Sequence, residues 1–258
     1  MRERLKTKIT YLLLVFLSSS VLVFGQDNNT SLFEAANKAY NEGKFPEAIT
    51  QYKSILETGN HSAAIYYNLG NAYYKSNEIG PSIYYFEKAL QLSPKDEDIL
   101  NNLAFAKNMT IDAIEPLPKT QISKFVSGIT EMFTYNQWAW IAVIFGFLCV
   151  ISFLLYQFSY QTLKKRIYFL VSFIAFLFIL GTVAIAYHQY GKAQADRPAI
   201  VFAKETTIKA EPNLRSDEVF VLHEGAKVQV LDTVDNWKKI QLIDGKIGWI
   251  ISEDVNEL

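Results

Sequence analysis

Two long stretches of the chain carry no charge. No Asp, Glu, Lys or Arg occurs between Glu131 and Lys164, and none occurs between Arg166 and Lys192. Within them, Trp138–Phe158 and Ile167–Tyr187 are each 21 residues long and hold twelve and thirteen Leu, Ile, Phe or Val residues. At about 1.5 Å per helical residue, each matches the roughly 30 Å hydrocarbon layer of a bilayer. At about −0.3 to −0.6 kcal/mol per such residue, insertion of each is favoured by roughly 4–8 kcal/mol. Trp138, Trp140, Tyr156, Tyr168 and Tyr187 stand near the ends, where amphipathic rings prefer the interface. The reading is two transmembrane helices, and it excludes a wholly soluble protein.

The connection 159–166 holds Lys164, Lys165 and Arg166, whereas the outer flanks carry scattered single cations. The positive-inside rule places this tip in the cytoplasm and both flanking regions outside. Neither span has an ionisable group except Cys149, and His188 lies at the outer boundary. Transport and proton relay need polar intramembrane groups, so the pair reads as an anchor. A net charge of −1 conceals +3 over residues 1–8, −4 over 26–137, +3 over 164–166 and −3 over 192–258. No region is a basic domain, which argues against nucleic acid as a partner. One cysteine excludes an internal disulfide and a thiolate metal cluster.

The chain begins with Arg2, Arg4, Lys6 and Lys8 before the apolar runs 9–17 and 21–24. This pattern over residues 1–25 predicts an export signal cut before Gln26, an uncleaved anchor being the alternative.

Residues 26–113 repeat with a period of 34. The clearer unit, 63–96, shows Tyr66, Leu69-Gly70, Tyr73, Ser82, Phe86, Ala89 and Pro94. A shift back by 34 gives Leu32, Ala35-Ala36, Ala39, Ala48, Tyr52 and Ile55 in unit 29–62. A shift forward gives Leu100, Leu103 and Ala104, predicting a capping helix over 97–113. Small residues let antiparallel helices approach, and each pair must stack on a neighbour to bury its apolar face. The pattern resembles tetratricopeptide repeats. That resemblance implies a concave groove formed by Phe33, Asn37, Tyr40, Tyr67, Asn68, Asn71, Tyr74, Asn101, Phe105 and Asn108. Aromatic rings and amides in a concavity suit an extended peptide; a solvated groove without a ligand is the alternative. Some members of the family grip a C-terminal carboxylate with cationic side chains. Phe33, Asp98 and Asn102 stand where those cations belong, so no such clamp is expected here.

Residues 114–137 read as a linker and an amphipathic helix. Glu115-Pro116-Leu117-Pro118 breaks the helical pattern, and Ile122, Phe125, Val126, Ile129, Met132 and Phe133 then recur at helical spacing. The helix lies along the lipid surface or packs on the repeats.

After residue 188 the period changes. Short β-branched and aromatic runs at 219–222, 226–231, 237–243 and 247–251 alternate with turn residues, Asp244-Gly245 being a hairpin signal. The steps Glu224-Gly225, Asp235-Asn236-Trp237 and Gly248-Trp249-Ile250 resemble bacterial SH3-like domains. Trp237 and Trp249 either line a ligand surface or pack in the core. Ile208-Lys209-Ala210-Glu211-Pro212 departs from the family's arginine, serine and glycine before the proline, which weakens a wall-peptide pocket.

The expected fold class is a multidomain membrane protein: an all-α repeat domain, a two-helix hairpin and a small all-β barrel over 188–258. This order of parts resembles BatE-type proteins of aerotolerance operons. The resemblance implies von Willebrand A-type Bat membrane proteins as partners. Nothing in the sequence points to catalysis, a cofactor or a metal. Two functions follow as expectations, a scaffold acting through the groove and a peptidoglycan sensor acting through the barrel.

Overall fold

The structure, a computed structural model, describes residues 26–118 and 120–258. The export signal expected over residues 1–25 lies outside the described residues.

Five helices form the first layer: α1 (Gln26–Asn41), α2 (Phe45–Glu57), α3 (Ala63–Lys75), α4 (Ile79–Leu92) and α5 (Glu97–Lys107). Local chemistry sets their ends. Ser62 accepts the amide of Ile65 to cap α3, and Asp96 accepts those of Asp98 and Ile99 to cap α5. Ala36, Ala39, Ala48, Tyr52, Leu69 and Ala72 are buried together between α1, α2 and α3. Ser82, where alanine is usual in such repeats, donates its hydroxyl to the Gly70 carbonyl at 2.9 Å, which satisfies a buried polar group. The capping helix is shorter than the expected 97–113. It stops at Lys107 because the segment that follows turns toward another part of the molecule.

That part is a seven-stranded antiparallel sheet: β1 (Pro198–Val201), β2 (Glu205–Lys209), β3 (Glu218–His223), β4 (Lys227–Val234), β5 (Trp237–Gln241), β6 (Ile247–Ile251) and β7 (Val255–Glu257), in the order β3-β2-β6-β5-β4-β1-β7. Its alternating residues Ile208, Val228, Val230, Ile240 and Ile250 point into one core. Ile114 of the linker packs on that core, and the Leu117 amide donates to the Ile243 carbonyl at 3.4 Å.

The sheet and the helices are not independent. Ile200 of β1 is fully buried in the α4–α5 cluster beside Ile79, Ile83 and Phe86. Phe202 meets Tyr84 edge-on at 5.4 Å. A Cβ on Gly80 would stand 2.7 Å from the Val201 carbonyl oxygen, so only glycine permits the approach. Gly225, at φ +86°, likewise leaves room for Thr110 and Ile83. Polar bonds border this seam. Glu224 accepts the Gly80 amide at 3.2 Å and pairs with Lys204 at 2.5 Å. Glu87 pairs with Lys107 and Lys227, each at 2.9 Å. Asp112 accepts the His223 amide at 2.7 Å and meets its Nδ1 at 2.9 Å. The barrel thus covers the far end of the repeat stack, supplementing the short α5.

Between repeat and barrel run α6 (Gln121–Thr130) and two long apolar helices, α7 (Tyr135–Phe158) and α8 (Thr162–Ala195), both long and apolar enough to cross a membrane. They pack together through stacked Phe145 and Phe178 rings, 4.9 Å apart, and through the Ser172 hydroxyl, which donates to the Cys149 carbonyl at 3.2 Å. Only Ser159, Tyr160 and Gln161 lie between them, so Lys164, Lys165 and Arg166 belong to the first turns of α8 rather than to a loop. At 34 residues and about 1.5 Å per residue, α8 is about 51 Å long and outruns the hydrocarbon layer.

Candidate functional site in the repeat groove

A cavity of about 340 Å³ opens on the repeat, lined by Tyr40, Tyr67, Asn71, Tyr74, Lys75, Phe86, Asn102 and Phe105. Five of the ten expected groove residues therefore come together: Tyr40, Tyr67, Asn71, Tyr74 and Phe105. Helices α1, α3 and α5 supply them from successive first helices of the repeat.

The other five stand elsewhere. Asn37 and Asn68 do not line the cavity and bond to each other instead. Asn68 Nδ2 donates to Asn37 Oδ1 at 3.1 Å, and the Tyr52 hydroxyl donates to the same oxygen at 2.5 Å. Phe33 packs edge-on against Tyr52, 5.9 Å away. Asn101 is exposed, and Asn108 is the C-terminal cap of α5, so neither lines the cavity.

Lys75, Phe86 and Asn102 were absent from the expected groove set. Asn102 is the hub of the site: its Nδ2 donates to Tyr67 Oη and to Asn71 Oδ1, both at 2.9 Å. The repeat period held the signal. Asn71 lies 34 residues beyond Asn37, and Asn102 lies 34 beyond Asn68, so the second amide pair copies the first.

Three features give the cavity its chemistry. Phe105 leaves 60% of its surface exposed and offers an apolar ring within the cavity lining. With both Asn102 amide hydrogens spent, the hydroxyl hydrogen of Tyr67, the amide hydrogens of Asn71 and Oδ1 of Asn102 retain bonding capacity. Those are two donors and one acceptor, the complement of a peptide unit. Burial, aided by nearby Tyr67, pushes the Tyr40 hydroxyl above the usual phenol range, and burial pushes Tyr52 up to about 12. Both hydroxyls are neutral at physiological pH, so Tyr40 brings no charge to the cavity lining.

A larger cleft of about 870 Å³ lies at the seam, lined by Thr110, Asp112–Ile114, Leu117, the start of β4 and Gln241–Ile243. Several of its polar groups bond within the protein: Asp112 to His223, Lys107 and Lys227 to Glu87, and the Gln229 amide to the Ala195 carbonyl. The smaller groove retains bonding capacity on Tyr67, Asn71 and Asn102.

On the barrel, the strand register places Trp237 and Lys239 on one face, with Trp249 directly opposite Lys239. Trp237 is 9% exposed and acts as packing. Trp249 is half-buried, with the Lys239 ammonium 5.9 Å from its ring centre.

Family models match three segments: a TPR repeat over residues 36–77, a tetratricopeptide repeat over 63–96 and a bacterial SH3 domain over 204–256. No curated protein matches the chain. Modules of both kinds are typically non-catalytic and serve interactions, tetratricopeptide repeats with proteins and bacterial SH3 domains with the cell wall. The chain carries tetratricopeptide repeats followed, beyond two long apolar helices, by a bacterial SH3 domain.

Proposed function

We propose that this protein is a membrane-anchored, non-enzymatic adaptor whose repeat groove holds an extended segment of a protein partner at the outer face of the bacterial inner membrane. One observation carries the reading: Asn102 spends both amide hydrogens on Tyr67 and Asn71, which leaves a peptide-complementary set beside the exposed Phe105 ring.

The anchor is the α7–α8 pair. Repeat and barrel share a buried seam, and the chain between them runs out and back through these two helices. Both modules therefore occupy one side, as two crossings require and one crossing forbids. The cations Lys164–Arg166 at the opposite end favour the cytoplasm for the tip. The order of parts supports a place in a Bat-type envelope or stress-tolerance complex, with von Willebrand A-type membrane proteins as partners. A second reading, peptidoglycan binding by the barrel, draws on the bacterial SH3 match and on the accessible Trp249–Lys239 pair.

Recovery of partners from detergent-solubilised membranes separates the two. Hot-spot energy concentrates in aromatic anchors, and loss of one costs about 2 kcal/mol or more, roughly thirtyfold in affinity. Tyr74→Ala with Phe105→Ala should abolish partner recovery and leave folding intact. Trp249→Ala should leave recovery unchanged. Loss of binding to purified wall sacculi in Trp249→Ala, with partner recovery intact in the groove variant, would favour the second reading.

A further inference from the structure

Among the described residues, nothing covers most of the apolar face of α6. Ile122, Phe125, Val126 and Ile129 fall on one side of the helix, at i, i+3, i+4 and i+7, and are 78%, 70%, 50% and 38% exposed. No residue of α6 is buried, so the helix does not pack on the repeats. Its C-terminal end is nevertheless held in a fixed place. The Thr130 carbonyl accepts Nε1 of Trp138 at 3.0 Å and also the Gln189 amide, which donates in addition to the Phe133 carbonyl at 3.2 Å. Trp138 belongs to the first turn of α7 and Gln189 to the outer stretch of α8. The two long helices therefore grip α6 together at their shared end. Phe133, three residues past α6, stacks edge-on against Trp138 at 5.2 Å, which ties the end of this segment to α7.

We propose that α6 lies in the outer lipid interface with its Ile122–Ile129 face sunk among the lipid chains. The inference rests on the reading of α7 and α8 as spans, because their outer ends set the depth of Thr130. It goes beyond that reading by giving a third element a lipid contact. Lys124 is the single charge within α6, and Glu131 follows at its end. A helix of this kind is held by buried apolar area rather than by attraction to anionic lipid. Its partner is thus a lipid surface of any headgroup charge.

The test uses the full chain reconstituted in phosphatidylcholine vesicles, with Cys149→Ser as background. An environment-sensitive fluorophore is attached in turn to Phe125→Cys, Ser123→Cys and Leu148→Cys. Quenching by lipids labelled near the top of the acyl chain should be at least about twofold stronger at 125 than at 123, as befits a face sunk about 5–10 Å into the headgroup boundary. The label at 148 should respond to quenchers deep in the chains. Replacing half the lipid with phosphatidylglycerol should leave the signal at 125 unchanged. Aqueous behaviour at 125 with a lipid-buried 148 overturns the proposal and spares the spans. Equal quenching at 123 and 125 also overturns it, because the helix would then be enclosed on all sides. Aqueous behaviour at 148 overturns the spans and the proposal with them.

Discussion

Glu87 of α4 and Lys227 of β4 are 140 residues apart in the chain, and their carboxylate and ammonium meet at 2.9 Å. Lys107 takes the other carboxylate oxygen at the same distance. Burial opposes ionisation of Glu87 and is the largest single influence on it. The hydrogen bonds and charges of the two lysines together outweigh burial and hold the carboxyl below its usual value of 4.5. A lowered folded pKa stabilises the fold above the unfolded value, and that contribution is lost as pH falls through the folded value. The seam should therefore hold at neutral pH and weaken below about pH 4.5. Glu87→Gln should cost about 1–3 kcal/mol at neutral pH and flatten the acid limb of the stability profile. Thermal unfolding in detergent across that range measures both effects.

Ile200 is a strand residue that completes a helical core. Ile200→Ala should cost about 2–5 kcal/mol, the range for truncating a buried aliphatic side chain. Hydrogen exchange locates the loss: amides of α4 and α5 should exchange faster, although the altered residue lies in β1. If only the barrel loosened, the seam would not be the cap of the repeat.

Gly70 faces the Phe86 ring so closely that an added Cβ would stand 2.7 Å from Cδ1 and 2.8 Å from Cε1. Phe86 also borders the groove cavity and touches the cluster around Ile200. Gly70→Ala should cost about 1–3 kcal/mol by overpacking and narrow the groove at once. A fall in melting temperature with a parallel fall in partner recovery is the expected result.

Reporter fusions test the two-crossing topology. A fusion at Leu258 should be active outside the cytoplasm, and an insertion at Tyr160, the fully exposed middle of the hairpin tip, should be active inside. Activity of the Leu258 fusion inside would contradict the charge bias, and activity at Leu258 and Tyr160 on the same side would contradict two crossings.

The repeat was legible because its period forces small residues into fixed places: Ala36, Ala39 and Ala48 are all buried, as the spacing requires. The groove was half legible. Four of the five aromatic positions line the cavity, Phe33 packing on Tyr52 instead, and Asn102 was read as a missing cation rather than as the 34-residue image of Asn68. The seam was illegible, since Ile200 alternates like any barrel residue and no local pattern tells which surface covers an outward side chain. Helix α8 exceeds its expected 21 residues because hydropathy marks where lipid ends, whereas the helix continues until the breaker Pro198 approaches. The early stop of α5 reflects Asp112 engaging His223, a contact between residues 111 positions apart.

The burial of Ile200 against Ile79 and Ile83 makes the repeat and barrel one discontinuous domain, with the apolar hairpin inserted in its middle. During synthesis the five helices emerge first, with that end of their core still open to water. With α7 and α8 as spans, β1 reaches it only after the chain has crossed inward and returned. A copy that stalls after one crossing leaves β1 on the wrong side and the repeat permanently uncapped. Completion of the soluble domain thereby depends on correct threading of the anchor, and a misthreaded molecule carries an exposed apolar surface that quality control can recognise.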